Sequence, residues 1–157
     1  MFSPVLTRPV KGNCLYYSLS DQLYGDTSHA DKIRQRLADH MATHKEYFMQ
    51  FVSEGGERRR PRRAAASTYA TRSADISAPS EQDKERRFED MIAKSRTNFE
   101  WASSEHIQAF CQSYKLDVTV YTSDGVRPFQ DVNAPRGESR NVVHVAFHVS
   151  ILFFVYI

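Results

Sequence analysis

At 157 residues, the chain has the length of one domain and can bury a core of ordinary size. Its 41% hydrophobic and 25% charged residues are the composition of a soluble globular protein, which sets a disordered tract aside. A net charge of +2 is too small to name a nucleic-acid or membrane partner, and two cysteines, Cys14 and Cys111, make no disulfide framework. Cysteines used this way fit a reducing compartment. The opening residues Met1-Phe2-Ser3-Pro4 lack the basic and apolar regions of a signal peptide, so the expected location is cytoplasmic or nuclear. The whole chain, 1–157, is read as a single domain.

Lys11-Gly12-Asn13-Cys14 is a turn running into a helix, with Leu15, Leu19 and Leu23 at helical spacing and Gly25 as its stop. Asn13 is placed as the N-cap, which sets Cys14 at the first helical position. There the positive end of the helix dipole favours a thiolate, and a thiol of lowered pKa on an exposed turn is how a cysteine nucleophile is made. The alternative is a small buried hydrophobe, since free cysteine is among the most buried residue types.

Asp26-Thr27-Ser28 offers caps for a second helix, with Ala30, Ile33, Leu37, Met41 and His44 near one stripe. Tyr47, Phe48, Phe51 and Val52 carry the helical pattern on to Gly55-Gly56. Residues 57–79 differ in kind. Five arginines between Arg58 and Arg63 are followed by small residues with few large apolar side chains, the composition of a flexible insertion. Arginines could grip phosphates, but none of these is interleaved with a stacking aromatic, so nucleic-acid binding is the weaker reading.

Ser80 then caps a helix carrying Phe88, Met91, Ile92 and Ser95 on one side. Residues from Trp101 to Glu105 introduce another, with Ile107, Phe110, Cys111 and Tyr114 inward, so Cys111 is read as structural. Residues 116–122 alternate as a strand with Val118 and Val120 on one face; Ser123-Asp124-Gly125 turns it into a short partner at 126–130. After a polar loop at 133–140 comes a strand at 142–148, with Val143, Val145 and Phe147 on one face and His144 and His148 on the other. Helices first and strands late give an α+β domain, a small sheet flanked by helices.

Residues 12–25, Gly-Asn-Cys-Leu-Tyr followed by Ser-Leu-Ser-Asp-Gln-Leu-Tyr-Gly, resemble the opening motif of the ovarian-tumour (OTU) family of cysteine proteases. The similarity extends over most of the chain, through the helical region from His29 to Phe51, the tryptophan-led helix and His144-Val145-Ala146-Phe147-His148. It implies an OTU-like cysteine-protease fold, ubiquitin or ubiquitinated proteins as partners, no cofactor, and hydrolysis of the isopeptide bond after ubiquitin's C-terminal glycine. By the resemblance Cys14 is the nucleophile, and Lys11, Gly12 and Asn13 form the oxyanion turn. Two positions depart from the family pattern. Lys11 stands where the family has an aspartate, and Leu152 stands at the position of the catalytic histidine.

His148 and His144 are weak substitutes for that base, and His29, His40, His44 and His106 are assigned surface or packing roles. No Cys/His spacing suggests a metal. The tail 149–157 is apolar and unlike what precedes it. Val149-Ser150-Ile151 can be encoded by GTGAGTAT, the form of an intron's start, so the expectation is a chain whose end is not its natural one. As written, the sequence implies a deubiquitinase impaired at the base, with a ubiquitin-binding pseudoenzyme as the alternative.

Overall fold

The computed structural model describes residues 12–54 and 80–147. Lys11, the arginine-rich insertion, His148 and the apolar tail lie outside the described residues. Among the described residues, five helices precede three strands: α1 (Cys14–Tyr24), α2 (Ala30–Thr43), α3 (Lys45–Glu54), α4 (Glu81–Arg96), α5 (Ser104–Tyr114), β1 (Asp117–Thr122), β2 (Gly125–Phe129) and β3 (Val142–Ala146). The α+β reading therefore holds.

The middle of the molecule is α2. Ile33, Arg34, Leu37, Ala38 and Met41 recur at helical spacing and are all buried, and the helix packs against α1, α4 and α5. The helical run from 30 to 54 is broken at His44, whose backbone (φ −104°, ψ 43°) leaves the helix. That break corrects the expected stripe: His44 is exposed, and Phe48 takes the next buried position. The expected caps at Asp26–Ser28 are also corrected. The Asp26 carboxylate accepts the Ser28 N–H at 2.8 Å in an Asx turn, so it turns the chain without capping α2. The His29 N–H at the helix start instead donates to Ser20 Oγ on α1, at 3.1 Å.

Other local expectations hold. Gly25 ends α1 in the left-handed region (φ 78°), with its N–H on the Asp21 carbonyl. Ser80 Oγ accepts the Asp83 N–H at the start of α4. Cys111 lies in the core of α5, fully buried, and donates its S–H to the Phe129 carbonyl.

The sheet runs β2-β1-β3. β1 and β2 form a hairpin whose two-residue loop, Ser123-Asp124, joins the pair Thr122 and Gly125. Pro128 is tolerated because β2 is an edge strand. β3 returns on the other side of β1 and pairs with it in parallel. The connecting loop is pinned by Asp131, whose buried carboxylate accepts from Arg140, Lys115 and the Asn133 N–H. Val118, Val120, Val143 and Val145 give the sheet its buried face, against which α1 and α5 pack.

Candidate active site

The chain enters α1 through a turn that only glycine permits. Gly12 has φ +85°, and a Cβ there would stand 1.8 Å from the Phe99 carbonyl oxygen. The opposing segment is itself strained, since Phe99 holds φ 69°, a rare conformation for a bulky residue. Its N–H donates to Asn13 Oδ1 at 3.0 Å. Gly12, Asn13 and Phe99 thus form one clamp between two loops far apart in sequence.

Asn13 stands at the N-cap position, but its side chain makes no cap bond. The correction has a physical cause: the amide is 5% exposed and is drawn inward by two donors, the Phe99 N–H and the Arg34 guanidinium. Arg34 is 1% exposed and reaches four acceptors on three segments. Nη2 donates to Asn13 Oδ1 and, at 3.2 Å each, to the carbonyls of Gly12 and Glu100; Nη1 donates to the Ser95 carbonyl at 3.2 Å. The guanidinium carbon sits 4.0 Å from the centre of the Tyr16 ring. None of these partners is a carboxylate, so peptide dipoles and a π face hold the charge, and burial draws its pKa below the ordinary arginine value.

Behind Arg34 lies a second buried polar group. His106 accepts the Ser103 N–H at Nδ1 (3.1 Å) and meets Ser95 Oγ at Nε2 (2.8 Å). A backbone N–H can only donate, so Nε2 carries the proton. Ser95 Oγ donates its own proton to the Met91 carbonyl, at 2.7 Å. Burial holds His106 below the usual imidazole range. This satisfies the packing role expected of it.

Cys14 is 8% exposed, and the expectation of a thiol activated on an exposed turn is corrected. Burial pushes its pKa up, and the pull of its own backbone N–H opposes that only in part. Cys111 is pushed further, to about 12, again by burial first. The thiol of Cys14 opens on a cleft of about 320 Å³ that is walled mainly by apolar groups, among them Leu15, Trp101, Val120 and Phe147. The starts of α1 and α5 form one side, and the sheet forms the other.

The β1–β3 ladder continues through Phe147, whose N–H donates to the Tyr121 carbonyl at 2.7 Å. The end of β3 is therefore brought to the cysteine's cleft. His144, on the opposite face of β3, pairs with the Tyr121 hydroxyl at 3.1 Å and does not line the cleft. His29, His40 and His44 are engaged elsewhere: His29 with Asp26 and Ser28, His40 with Gln112, and His44 with the His40 carbonyl. His148 directly follows Phe147 and lies outside the described residues, as does Lys11.

Sequence reasoning placed Ser95 on the inner side of its helix, where it is buried, and passed over Arg34. For Arg34 a signal was present: position 34 falls on the stripe of Ala30, Ile33, Leu37 and Met41, where a charge is out of place unless the fold supplies acceptors.

Helices wrapped on a small mixed sheet, with a cysteine opening the first helix on a cleft at the sheet's end, define an OTU-domain fold. Solved structures agree. The OTU domain of OTUD1 superposes with a TM-score of 0.63 over 99% of this chain and 84% of that one, at 14% identity. An OTU domain determined in complex with ubiquitin gives 0.60 over 98% and 67%, at 11% identity. The family model for the OTU domain of vertnin matches residues 4–136, and the chain belongs to that family. A stretch of 44 residues is 43% identical to ovarian tumor domain-containing deubiquitinating enzyme 6 of Arabidopsis thaliana. That stretch is 28% of this chain and only 9% of the plant protein's length.

Proposed function

We propose that this domain is an OTU-type thiol hydrolase directed at ubiquitin–protein isopeptide bonds, with Cys14 as nucleophile and weak turnover. The observation that carries the reading is that Cys14 and Phe147, which follows β3, line one cleft. Membership of an OTU family supports it, as does the likeness to an OTU domain solved with ubiquitin. The cell compartment proposed is the cytosol or nucleus, where an unpaired thiol stays reduced.

In this reaction the Cys14 sulfur attacks the isopeptide carbonyl, and the carbonyl oxygen becomes an oxyanion. Backbone N–H groups of the Gly12–Cys14 turn receive that charge. The amine then leaves with a proton, and water cleaves the acyl-enzyme. A thiol raised by burial is mostly protonated at neutral pH, so a base must take its proton before attack. The resemblance assigns that base to the position of Leu152, which leaves His148 as the nearest imidazole in the chain after Phe147. The raised thiol and Leu152 also favour a second reading, ubiquitin recognition without catalysis.

Ubiquitin carrying a C-terminal electrophile separates the two. The enzyme reading expects slow labelling that Cys14→Ala abolishes, little cleavage of ubiquitin chains, and a gain in cleavage for Leu152→His. Binding without labelling supports the second reading. Labelling that survives Cys14→Ala sinks the nucleophile assignment. Brisk chain cleavage lost in His148→Ala makes His148 the base.

A further inference from the structure

We infer that Arg34 is a positioning residue for the oxyanion turn, orienting the Gly12–Asn13 peptide from inside the core so that its N–H faces the reacting carbonyl. The inference rests on the reading of Cys14 as a nucleophile, but not on ubiquitin as its substrate.

A trans peptide holds its C=O and N–H antiparallel. The Gly12 carbonyl is taken by Arg34 Nη2 at 3.2 Å, within the core. The N–H of the same peptide, on Asn13, is therefore sent away from the guanidinium. Gly12 and Cys14, on either side of it, both line the cleft. The neighbouring anchor is the Asn13 side chain, whose Oδ1 accepts from the same Nη2 and from the Phe99 N–H. One guanidinium nitrogen thus holds the turn at two consecutive residues.

Arg34 is itself fixed from the far side. Nη1 is held by the Ser95 carbonyl at the end of α4, and the Glu100 carbonyl and the Tyr16 ring complete the enclosure. The planar fork suits such a position, because two terminal nitrogens reach separate segments at once, which a lysine ammonium cannot reproduce. Burial with no carboxylate bonded to it among the described residues is costly. A residue needed only to fill this volume would be apolar. Among the described residues, the hold on the turn comes from Arg34 and the Phe99 N–H.

Two reactions of Cys14 distinguish positioning from general support of the fold. Acylation by p-nitrophenyl acetate passes through an oxyanion; alkylation by iodoacetamide is a direct displacement at carbon and forms none. Both are followed on the full chain by mass mapping of Cys14, with Cys111 as internal control and thermal melting as the check on folding. Arg34→Lys keeps the charge and loses the fork. Asn13→Ala leaves Arg34 its three carbonyls and removes one anchor of the turn, so it serves if Arg34→Lys fails to fold.

The expected result is that either variant slows acylation about tenfold or more, the scale on which weakening an oxyanion donor is felt, while alkylation changes less than about threefold. Equal losses in both reactions, or unchanged acylation, overturn the inference. Wild-type Cys14 that is acylated no faster than Cys111 overturns it together with the nucleophile reading. A selective loss of acylation in a protein that ignores ubiquitin probes leaves Arg34 its role and removes only the ubiquitin substrate.

Discussion

Helices α1 and α5 both begin on the cleft that holds Cys14, and they begin in opposite ways. At α5 the His106 side chain reaches back to accept the Ser103 N–H, the return half of a capping box, so that helix start is closed by its own first turn. At α1 the residue in the cap position gives its side chain to Arg34 and Phe99, and the helix's first turn is left uncapped by it. A closed start offers little to a ligand. A start whose cap side chain has been drawn into the core gives up the usual cap bond, at a cost in helix stability of about 1 kcal/mol. On the proposed reading of Cys14 as a nucleophile, the difference separates a side of the cleft used for packing from one used for chemistry.

The harshest way to break this contrast is at Gly12. Gly12→Ala drives a methyl group into the Phe99 carbonyl and forces a left-handed conformation on alanine. Chemical denaturation should show a loss of roughly 3 kcal/mol or more, with unfolding at 37 °C a reasonable limit. Gly25→Ala meets open space and should lose only about 1 kcal/mol, the left-handed penalty alone. Similar losses for the two would mean that the clamp at Gly12 is not tight.

The two cysteines sharpen the comparison next. In the folded protein Cys14 should alkylate about a hundredfold faster than Cys111, because it opens on the cleft and Cys111 is sealed in the core at a pKa of about 12. The pH dependence carries the finer test. Since burial raises Cys14, its rate should still be climbing at pH 9, whereas an activated thiol would level off near neutrality. Peptide mapping after timed labelling reads both. A plateau near pH 7 would show that a group beyond the described residues lowers the thiol.

These contrasts also show what the sequence can and cannot carry. Element order, the α+β class and the buried faces were legible because each rests on spacing within one segment: Ile33 with Leu37 and Met41, or Val118 with Val120. The position of Cys14 at a helix start was legible for the same reason. Its exposure was not, because the turn that carries it is packed against Phe99, more than eighty residues away, and nothing in residues 11–19 encodes that contact. The misassigned cap at Asn13 has the same origin. A side chain with a local partner and a distant one is read from sequence as using the local one, and here the distant guanidinium won. Arg34 is the reverse case: a charge on an apolar stripe is a local sign that the fold supplies its acceptors.

His106, which closes α5, predicts an effect of intermediate size. Its folded pKa is depressed, as is that of His40, in both cases chiefly by burial. The unfolded chain therefore binds more protons than the native one once pH falls through the unfolded value near 6.5, and stability drops as pH falls below it. Every tenfold weakening of proton binding in the fold is worth about 1.4 kcal/mol at most. Urea melts at pH 7.5 and 5.5 should show lower stability at 5.5, and His106→Gln should flatten part of that slope. An unchanged slope would mean that His106 is protonated in place, with Ser103 and Ser95 rearranged around it.

The smallest effect is expected at a helix start remote from the cleft. Ser80 holds the Asp83 N–H at 3.2 Å on an exposed surface, and its backbone is extended in the manner of an ordinary cap. Ser80→Ala should lose about 1 kcal/mol, and Ser80→Asp should hold its own. Neither should alter the rate at which Cys14 is acylated, since the link from α4 to the turn runs through Arg34, which donates to the Ser95 carbonyl at the other end of the helix. Asn13→Ala removes a side chain from the same nominal position of a different helix, and for it the ranking reverses: little cap energy is lost, because no cap bond exists, while the chemistry at Cys14 changes. Stability and acylation measured side by side on the two variants separate a residue that caps its helix from one that has been recruited to hold a turn. If Ser80→Ala changed acylation as much as Asn13→Ala, loosening of the domain as a whole would account for both.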